Sequence, residues 1–490
     1  MEDESLKFNV VCIFFRPVKM ISILILATVL TQVWSEDCNV RSFPTGTVCV
    51  CNATYCDTVP KLDVSTGKYQ VYTTSKSKLG FYSEIAAFAN ESTEDAVTVT
   101  VDRSKKFQTI LGFGGAFTDA TGINICSLSQ EAQENLLESY FSENGIEYSL
   151  CRVPIGGTDF STRGYSYDDH EGDVTLELFE LQQDDIDYKI PYILKSKKLT
   201  NDQLKLFASP WTAPAWMKTN KGWAGIGFLE TEYYQVWADY IVKFFDEYEK
   251  HNISFWGMTL QNEGINGFVS DALSRINAMA WLPAHMNKWI VQNIGPSIRK
   301  SAHKDLKIMV FDDNREALFL LHPLLNNETV MSYVDGIAVH WYWNWMPISL
   351  LDVVKPYLDT RFLLPTEACN GDGNDISVVK GSWERGVKYI NDIIVNLQYG
   401  ASGWVDWNMA LDENGGPTYI DNYVDSPVIV NKTLQEFYKQ PMFYALGHFS
   451  KFIRPGSVRL DASITGSDND LKAVAFLRPD NLIALVVFNK

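Results

Sequence analysis

Residues 253–264 read ISFWGMTLQNEG, and residues 361–371 read RFLLPTEACNG. Each is a short apolar run that closes on a glutamate, Glu263 in the first and Glu367 in the second. Apolar runs of this length, bounded by glycine, read as buried strands. A carboxylate just past such a strand is held at the rim of a core, half in water. Two of them facing across one cleft push each other's pKa apart and can divide acid and base work. A lone loop glutamate would mean nothing; the flanking residues decide otherwise.

The same texture recurs on both sides. TILGFGGAF (109–117), YSLCRVPIG (148–156), LKLFASPWT (204–212), LKIMVFDDN (306–314), GIAVHWYW (336–343) and ASGWVDWNM (401–409) bring the candidate strands to eight. Intervening segments such as EYYQVWADYIVKFFDEYEKH (232–251) carry the helical period. Eight strand–helix units over about 300 residues predict a closed (β/α)8 TIM barrel. A doubly wound sheet is the alternative, but GFGGAF lacks the third glycine of a nucleotide fingerprint. In a barrel, functional side chains gather at the C-terminal strand ends. Those ends supply Asp119, Asp159, Trp211, Asn262, Glu263, Asp312, His340, Tyr342, Glu367, Asp406 and Trp407. Carboxylates among aromatics suit a sugar, whose flat faces pack on Trp and Tyr. None of the 7 histidines pairs in a metalloprotease pattern, and no Gly-x-Ser-x-Gly elbow occurs, so neither a metal nor a serine esterase is expected. A net charge of −18 argues against nucleic acid.

The flanks describe a secreted protein. Residues 21–34, ISILILATVLTQVW, form a signal-peptide core too short to span a bilayer, so residues 1–35 are expected to be a leader cleaved near Ser35, and no transmembrane span is expected. Cys38, Cys49, Cys51 and Cys56 follow closely and predict two disulfides stapling a lobe over 36–65. Sequons stand at Asn52, Asn90, Asn252, Asn327 and Asn431. Alternating strand patterns in 66–105 and 440–490 predict a shared antiparallel β-sandwich flanking a barrel over 106–439. The chain ends inside LIALVVFNK, which predicts a truncated sandwich with an open strand edge.

The strings LQNE, HWYW, TEACNG, GWVDWN and VDSP resemble glycoside hydrolase family 30, as do RVPIGGTDFSTR, ASPWTAPAWMKTN, CVCNATYC and FYKQPMFYALGHFSKFIRPGS. The resemblance runs from about Cys38 to the last residue. It implies a retaining glycosidase that releases glucose from glucosylceramide at a membrane surface in the lysosome, without a cofactor and with a saposin-type activator as partner. It makes Glu367 the nucleophile and Glu263 the acid/base, the latter expected to carry the raised pKa. It gives Asn262 the sugar 2-OH, places Asp159, Trp211 and Trp407 around the glucose ring, sets His340 and Tyr342 near Glu367, and puts Asn422 on a mouth loop. Two departures from the family stand out: Gly264 replaces a usual proline, and residues 266–286 diverge. Trp341, Trp343 and Trp345 are expected either to face the mouth toward lipid or to pack beneath its loop.

Overall fold

The computed structural model describes residues 9–15, 22–23, 37–88, 97–373, 376–466 and 470–489. Eight parallel strands form one sheet: β1 Gly112–Ala116, β2 Leu150–Ile155, β3 Lys205–Pro210, β4 Gly257–Thr259, β5 Lys307–Asn314, β6 Gly336–His340, β7 Phe362–Glu367 and β8 Gly403–Asn408. Each pairs with its sequence neighbours, β8 returns to β1, and a Leu363–Ala401 bridge closes the ring. The eight apolar runs are these strands. The barrel interior is filled by a layer comprising Leu150, Phe207, Met309, Ala338, Leu364 and Val405. Side chains of the opposite parity press outward onto the helices.

A second eight-stranded sheet joins both chain flanks. Its order is Ser22–Ile23, Thr98–Thr109, Val458–Thr465, Leu471–Leu477, Ile483–Asn489, Asn9–Phe15, Lys68–Ser75 and Tyr82–Ala87. Two expectations change here. Ile483–Asn489 is not an open edge, because Asn9–Phe15 pairs antiparallel with it on one side and with Lys68–Ser75 on the other. Residues 9–15, expected within the leader, pair as a strand in this sheet. The run NVVCIFF is itself a strand-forming sequence: Val10, Cys12 and Phe14 pack toward the barrel while Ile13 enters the sheet's own core. The rest of the 21–34 run, beyond Ser22–Ile23, lies outside the described residues, as does the sequon at Asn90. Among the described residues no helix is long and apolar enough to cross a membrane.

The cysteine lobe carries its two disulfides, Cys38–Cys49 and Cys51–Cys56. It is not a free-standing unit. Val40–Phe43 and Gly46–Cys51 share a five-stranded sheet with Ala410–Asp412, Val428–Asn431 and Glu436–Lys439. The barrel thus ends its strands at Asn408, and 410–439 belongs with the lobe. Helix Pro441–Ser450, expected in the sandwich, instead packs on helix Trp383–Gln398 and on β1 as the helix after β8. A helix buried on every side shows no amphipathic period, and the apolar run YALGHF reads equally as strand or helix.

Candidate active site

Glu263 follows β4 and Glu367 ends β7. Both side chains point into one cavity of about 280 Å³, whose wall also includes Asp159, Trp211, Asn262, Tyr342, Trp407 and Asn422. Carboxylate oxygens of Glu263 and Glu367 and a nitrogen of His340 all lie within 4.8 Å of one another. An inverting pair of carboxyls stands about 6.5–9.5 Å apart to admit a water, whereas a retaining pair stands about 5–5.5 Å apart. The observed closeness matches the retaining geometry.

The backbone places Glu263 at some cost. Its φ is 40° and ψ 57°, a left-handed conformation rare outside glycine. Asp312 in β5 is also left-handed, φ 57°, where the β5–β6 register slips. Backbone in such regions persists only when its surroundings over-determine it, and it clusters at functional sites. Gly264 opens the next turn, where an added Cβ would meet nothing closer than Gln261 Cγ at 3.6 Å. The glycine is therefore not demanded by crowding.

The carboxylates are tied into one charged network. Arg152, in the middle of β2 and 0% exposed, donates to Glu367 Oε2, to Asp312 Oδ2 (2.6 Å), to Asn262 Oδ1 (2.8 Å) and to Ser209 Oγ (2.9 Å). Its guanidinium lies 4.7 Å from the centroid of Trp211, which stacks on Trp407 at 5.1 Å and 16°. His340 Nδ1 contacts Glu263 Oε1 and Nε2 contacts Asp312 Oδ1, both at 3.0 Å. A ring flanked by carboxylates on both nitrogens must donate from both, so it is an imidazolium. Burial opposes that charge, yet Glu367, Asp312 and Glu263 outweigh it and raise the His340 pKa to about 10. Tyr342 donates its hydroxyl to Glu367 Oε1 at 2.8 Å.

Two cations, Arg152 and His340, thus face three carboxylates, Glu263, Glu367 and Asp312. Burial pushes Asp312 up, but Arg152 and His340 overcome this and hold it well below the usual carboxylate range. The uncompensated negative charge falls on the glutamates. Burial raises the pKa of Glu367, with His340 and Arg152 pulling it back and Glu263 adding to the rise. Burial and then the Glu367 charge lift Asp159 to about 7, against a 2.8 Å hydrogen bond from Asn422 Nδ2. Asn266 Nδ2 donates to Glu263 Oε2 at 2.7 Å.

The structure brings Asp159, Trp211, Asn262, His340, Tyr342, Trp407 and Asn422 together around the glutamates, with one change of partner. His340 sits closer to Glu263 than to Glu367, whose Oε1 is 4.0 Å away. Asp119 is drawn off the pocket to Ser161 Oγ, Tyr165 and Lys189, and Asp406 to Tyr389. Trp341 is buried and donates to the Cys369 carbonyl at 2.9 Å, so it packs beneath the loop; Trp343 and Trp345 are exposed. Arg152 and Asn266 escaped the sequence reading. The signal for Arg152 was a lone cation inside a buried apolar run, which must be paired with acids from other strands.

The glycosyl hydrolase family 30 TIM-barrel domain matches residues 110–453, and that family's beta sandwich domain matches residues 456–490. The lysosomal acid glucosylceramidase of Mus musculus is 40% identical over 470 residues, covering 93% of this chain and 90% of the mouse protein. An endo-1,6-beta-D-glucanase of Aspergillus fumigatus is 27% identical over 425 residues, covering 82% of this chain and 83% of its own. Among solved structures, SrfJ from Salmonella typhimurium superposes with a TM-score of 0.77 at 25% identity, covering 86% of this chain and all of the other.

Proposed function

The chain belongs to glycosyl hydrolase family 30, and from that premise we propose that it is a retaining β-glucosidase acting on glucosylceramide, with Glu367 as nucleophile and Glu263 as acid/base. The observation that carries this reading is the close pair of glutamates, one bound by Arg152 and a tyrosine hydroxyl, the other by an imidazolium and an asparagine amide.

In the first displacement the ionised Glu367 attacks the anomeric carbon while Glu263 gives its proton to the glycosidic oxygen. The ceramide alcohol leaves and a glucosyl ester forms on Glu367. In the second, Glu263, now a carboxylate, takes a proton from water as that water attacks the anomeric carbon. β-Glucose departs, Glu367 is a carboxylate again and Glu263 is reprotonated. Arg152 and Tyr342 hold the Glu367 carboxylate aimed, and hydrogen bonds to the 2-OH from Asn262 Nδ2 strengthen as the ring flattens. Asn262 is free to do this because Arg152 engages only its carbonyl oxygen. Asp159 and Asn422, paired at the pocket wall, offer hydrogen bonds to further sugar hydroxyls.

A lipid substrate fits the rim. Phe268, Leu273, Phe319, Trp343, Trp345 and Ile376 are exposed on loops that follow β4, β5, β6 and β7. Exposed apolar side chains on these loops suit lipid contact, and indoles favour the water–membrane boundary. A lysosomal setting, entry through the secretory pathway, glycans at the sequons and help from a saposin-type activator accompany this reading. The Aspergillus relative motivates the rival, a β-1,6-glucanase; a β-xylosidase is the other family activity to exclude. The test is hydrolysis of glucosylceramide, gentiobiose-type glucan and aryl xyloside by the purified protein at acidic pH, with the anomer followed by NMR. Release of β-glucose from glucosylceramide supports the reading. Turnover of the glucan or xyloside alone, or release of α-glucose, overturns it.

A further inference from the structure

Asn266 stands against the acid/base, and the main chain around it is pinned. Glu263, in its left-handed conformation, opens the 3-10 turn Gly264–Phe268. In such a turn residues three apart eclipse, so Asn266 lies over Glu263. Its backbone N–H bonds the Glu263 carbonyl at 2.9 Å, and its Nδ2 donates to Glu263 Oε2 at 2.7 Å. The Ile265 N–H donates to Asp313 Oδ2 at 3.1 Å. Gly267 lies so close to the Ala280 backbone that no Cβ would fit between them. The Asn266 side chain is half-buried and lines the catalytic cavity. Its Oδ1 has no hydrogen-bond partner among the described residues. Asn262, the residue before Glu263, differs: Arg152 holds its Oδ1, which fixes the end of that amide left for the sugar.

We propose that Asn266 is a positioning residue that serves the acid/base in both of its states by turning its amide over. The inference rests on the β-glucosidase reading above. The imidazolium of His340 donates to Glu263 Oε1, and its other nitrogen is tied to Asp312, so Oε1 stays an acceptor throughout. The proton that Glu263 carries before attack therefore sits on Oε2, the oxygen that faces Asn266. A protonated Oε2 donates, and an amide N–H pointed at that hydrogen repels it. A half turn about the Asn266 Cβ–Cγ bond brings Oδ1 to the same place as an acceptor. That torsion is broad and nearly two-fold, and the two ends of the amide have the same shape. No other hydrogen bond of the side chain has to break. Oδ1 then holds the Oε2 proton in the cavity until the glycosidic oxygen arrives. Once the proton has passed to that oxygen and the C–O bond has broken, Glu263 is a carboxylate and the amide turns back. Nδ2 now donates to Oε2, the arrangement of this structure, and steadies the base for the water that attacks the glucosyl ester. When Oε2 has taken that water's proton, the amide turns again and the cycle closes.

Asn266→Leu keeps the outline of the side chain and removes both polar ends. Three rate measurements separate its effects. On ethyl β-glucoside, kcat/KM reads attack with help from the acid. On 2,4-dinitrophenyl β-glucoside, kcat/KM reads attack on a leaving group that needs no proton, and kcat reads hydrolysis of the accumulated glucosyl ester, which needs the base. The first should fall about threefold to tenfold, the worth of a neutral hydrogen bond, and the third about tenfold or more, the worth of one to a charged group. The second should not change, which also shows that the variant is folded with its cavity intact. Azide, a nucleophile that needs no base, should restore the third. Asn266→Ala carries the same expectations if the leucine variant does not fold. A fall in only the first or only the third shows an amide that keeps one end forward, and overturns the inference. Equal falls in all three show a merely structural role, and no change in any shows none; either result also overturns it. In each of these cases the β-glucosidase reading stands. If the wild-type protein hydrolyses no β-glucoside, both fall.

Discussion

Replacing Arg152 by methionine removes one charge and keeps most of the volume. In the wild type this guanidinium is fully buried and binds Glu367, Asp312 and Asn262 at once. Its loss leaves two buried carboxylates with only His340 as cation. Breaking a buried ion pair from one side costs about 3–5 kcal/mol. The pH dependence follows from the signs. Arg152 lowers the pKa of both Glu367 and Asp312, so without it both rise. A carboxyl raised in the folded state loses stability as pH climbs from its ordinary value through the raised one; a depressed one supplies stability above its ordinary value. The variant deepens the first effect and forfeits the second, so its deficit is largest at neutral pH and shrinks below about pH 4, near the ordinary carboxylate pKa. For catalysis, Glu367 must be ionised before attack, so the acidic limb of kcat/KM moves to higher pH. Calorimetric unfolding at pH 7 and pH 4, with pH–rate profiles on an aryl glucoside, reads both effects. Arg152→Lys, which keeps the charge without the fork, should hold the acidic limb near its wild-type position while lowering kcat. A methionine variant with unmoved acidic limb and unchanged melting temperature at pH 7 would refute the charge argument.

Glu367 should be the single carboxylate labelled by a cyclitol epoxide that traps nucleophiles; label on any other residue, or undiminished label in Glu367→Gln, contradicts its role. Glu263→Ala should lose about 10²–10⁴ in rate on alkyl leaving groups and much less on activated aryl glucosides, with azide restoring turnover as β-glucosyl azide; equal losses on both substrates speak against it. Deleting residues 9–15 strips Val10, Ile13 and Phe14 from buried positions, each worth about 1.5–3 kcal/mol, and opens both neighbouring strands. Melting temperature and secreted yield should fall, and an unchanged melting curve would show that this strand does not hold the sheet.

The barrel was legible because each of its strands is buried on both faces and so reads as an unbroken apolar run. Period alone could not give the third sheet: Val428–Asn431 and Glu436–Lys439 are four residues each, too short to show alternation, and Glu436–Lys439 pairs with Gly46–Cys51, nearly 400 residues away. Helix Pro441–Ser450 was misplaced because all ten of its residues are buried, which erases the amphipathic stripe. The strand pairing of Asn9–Phe15 is not legible in the sequence, because apolar character is common to leaders and buried strands and its partner in the sheet is the far end of the chain.

Sequence by itself determined the kind of chemistry. Residue identity sets whether a group can carry a proton or form an ester, and strand-end position sets that it stands on the barrel rim, so Glu263, Glu367 and the aromatics around them could be named from the chain alone. Charge state was left to the tertiary structure. Arg152, His340 and Asp312 come from β2, β6 and β5, and no spacing along the chain records that they meet. Electrostatic work depends on distance and burial in three dimensions, so the opposing pulls of burial and of the two cations on Glu367 were decided only when the barrel closed.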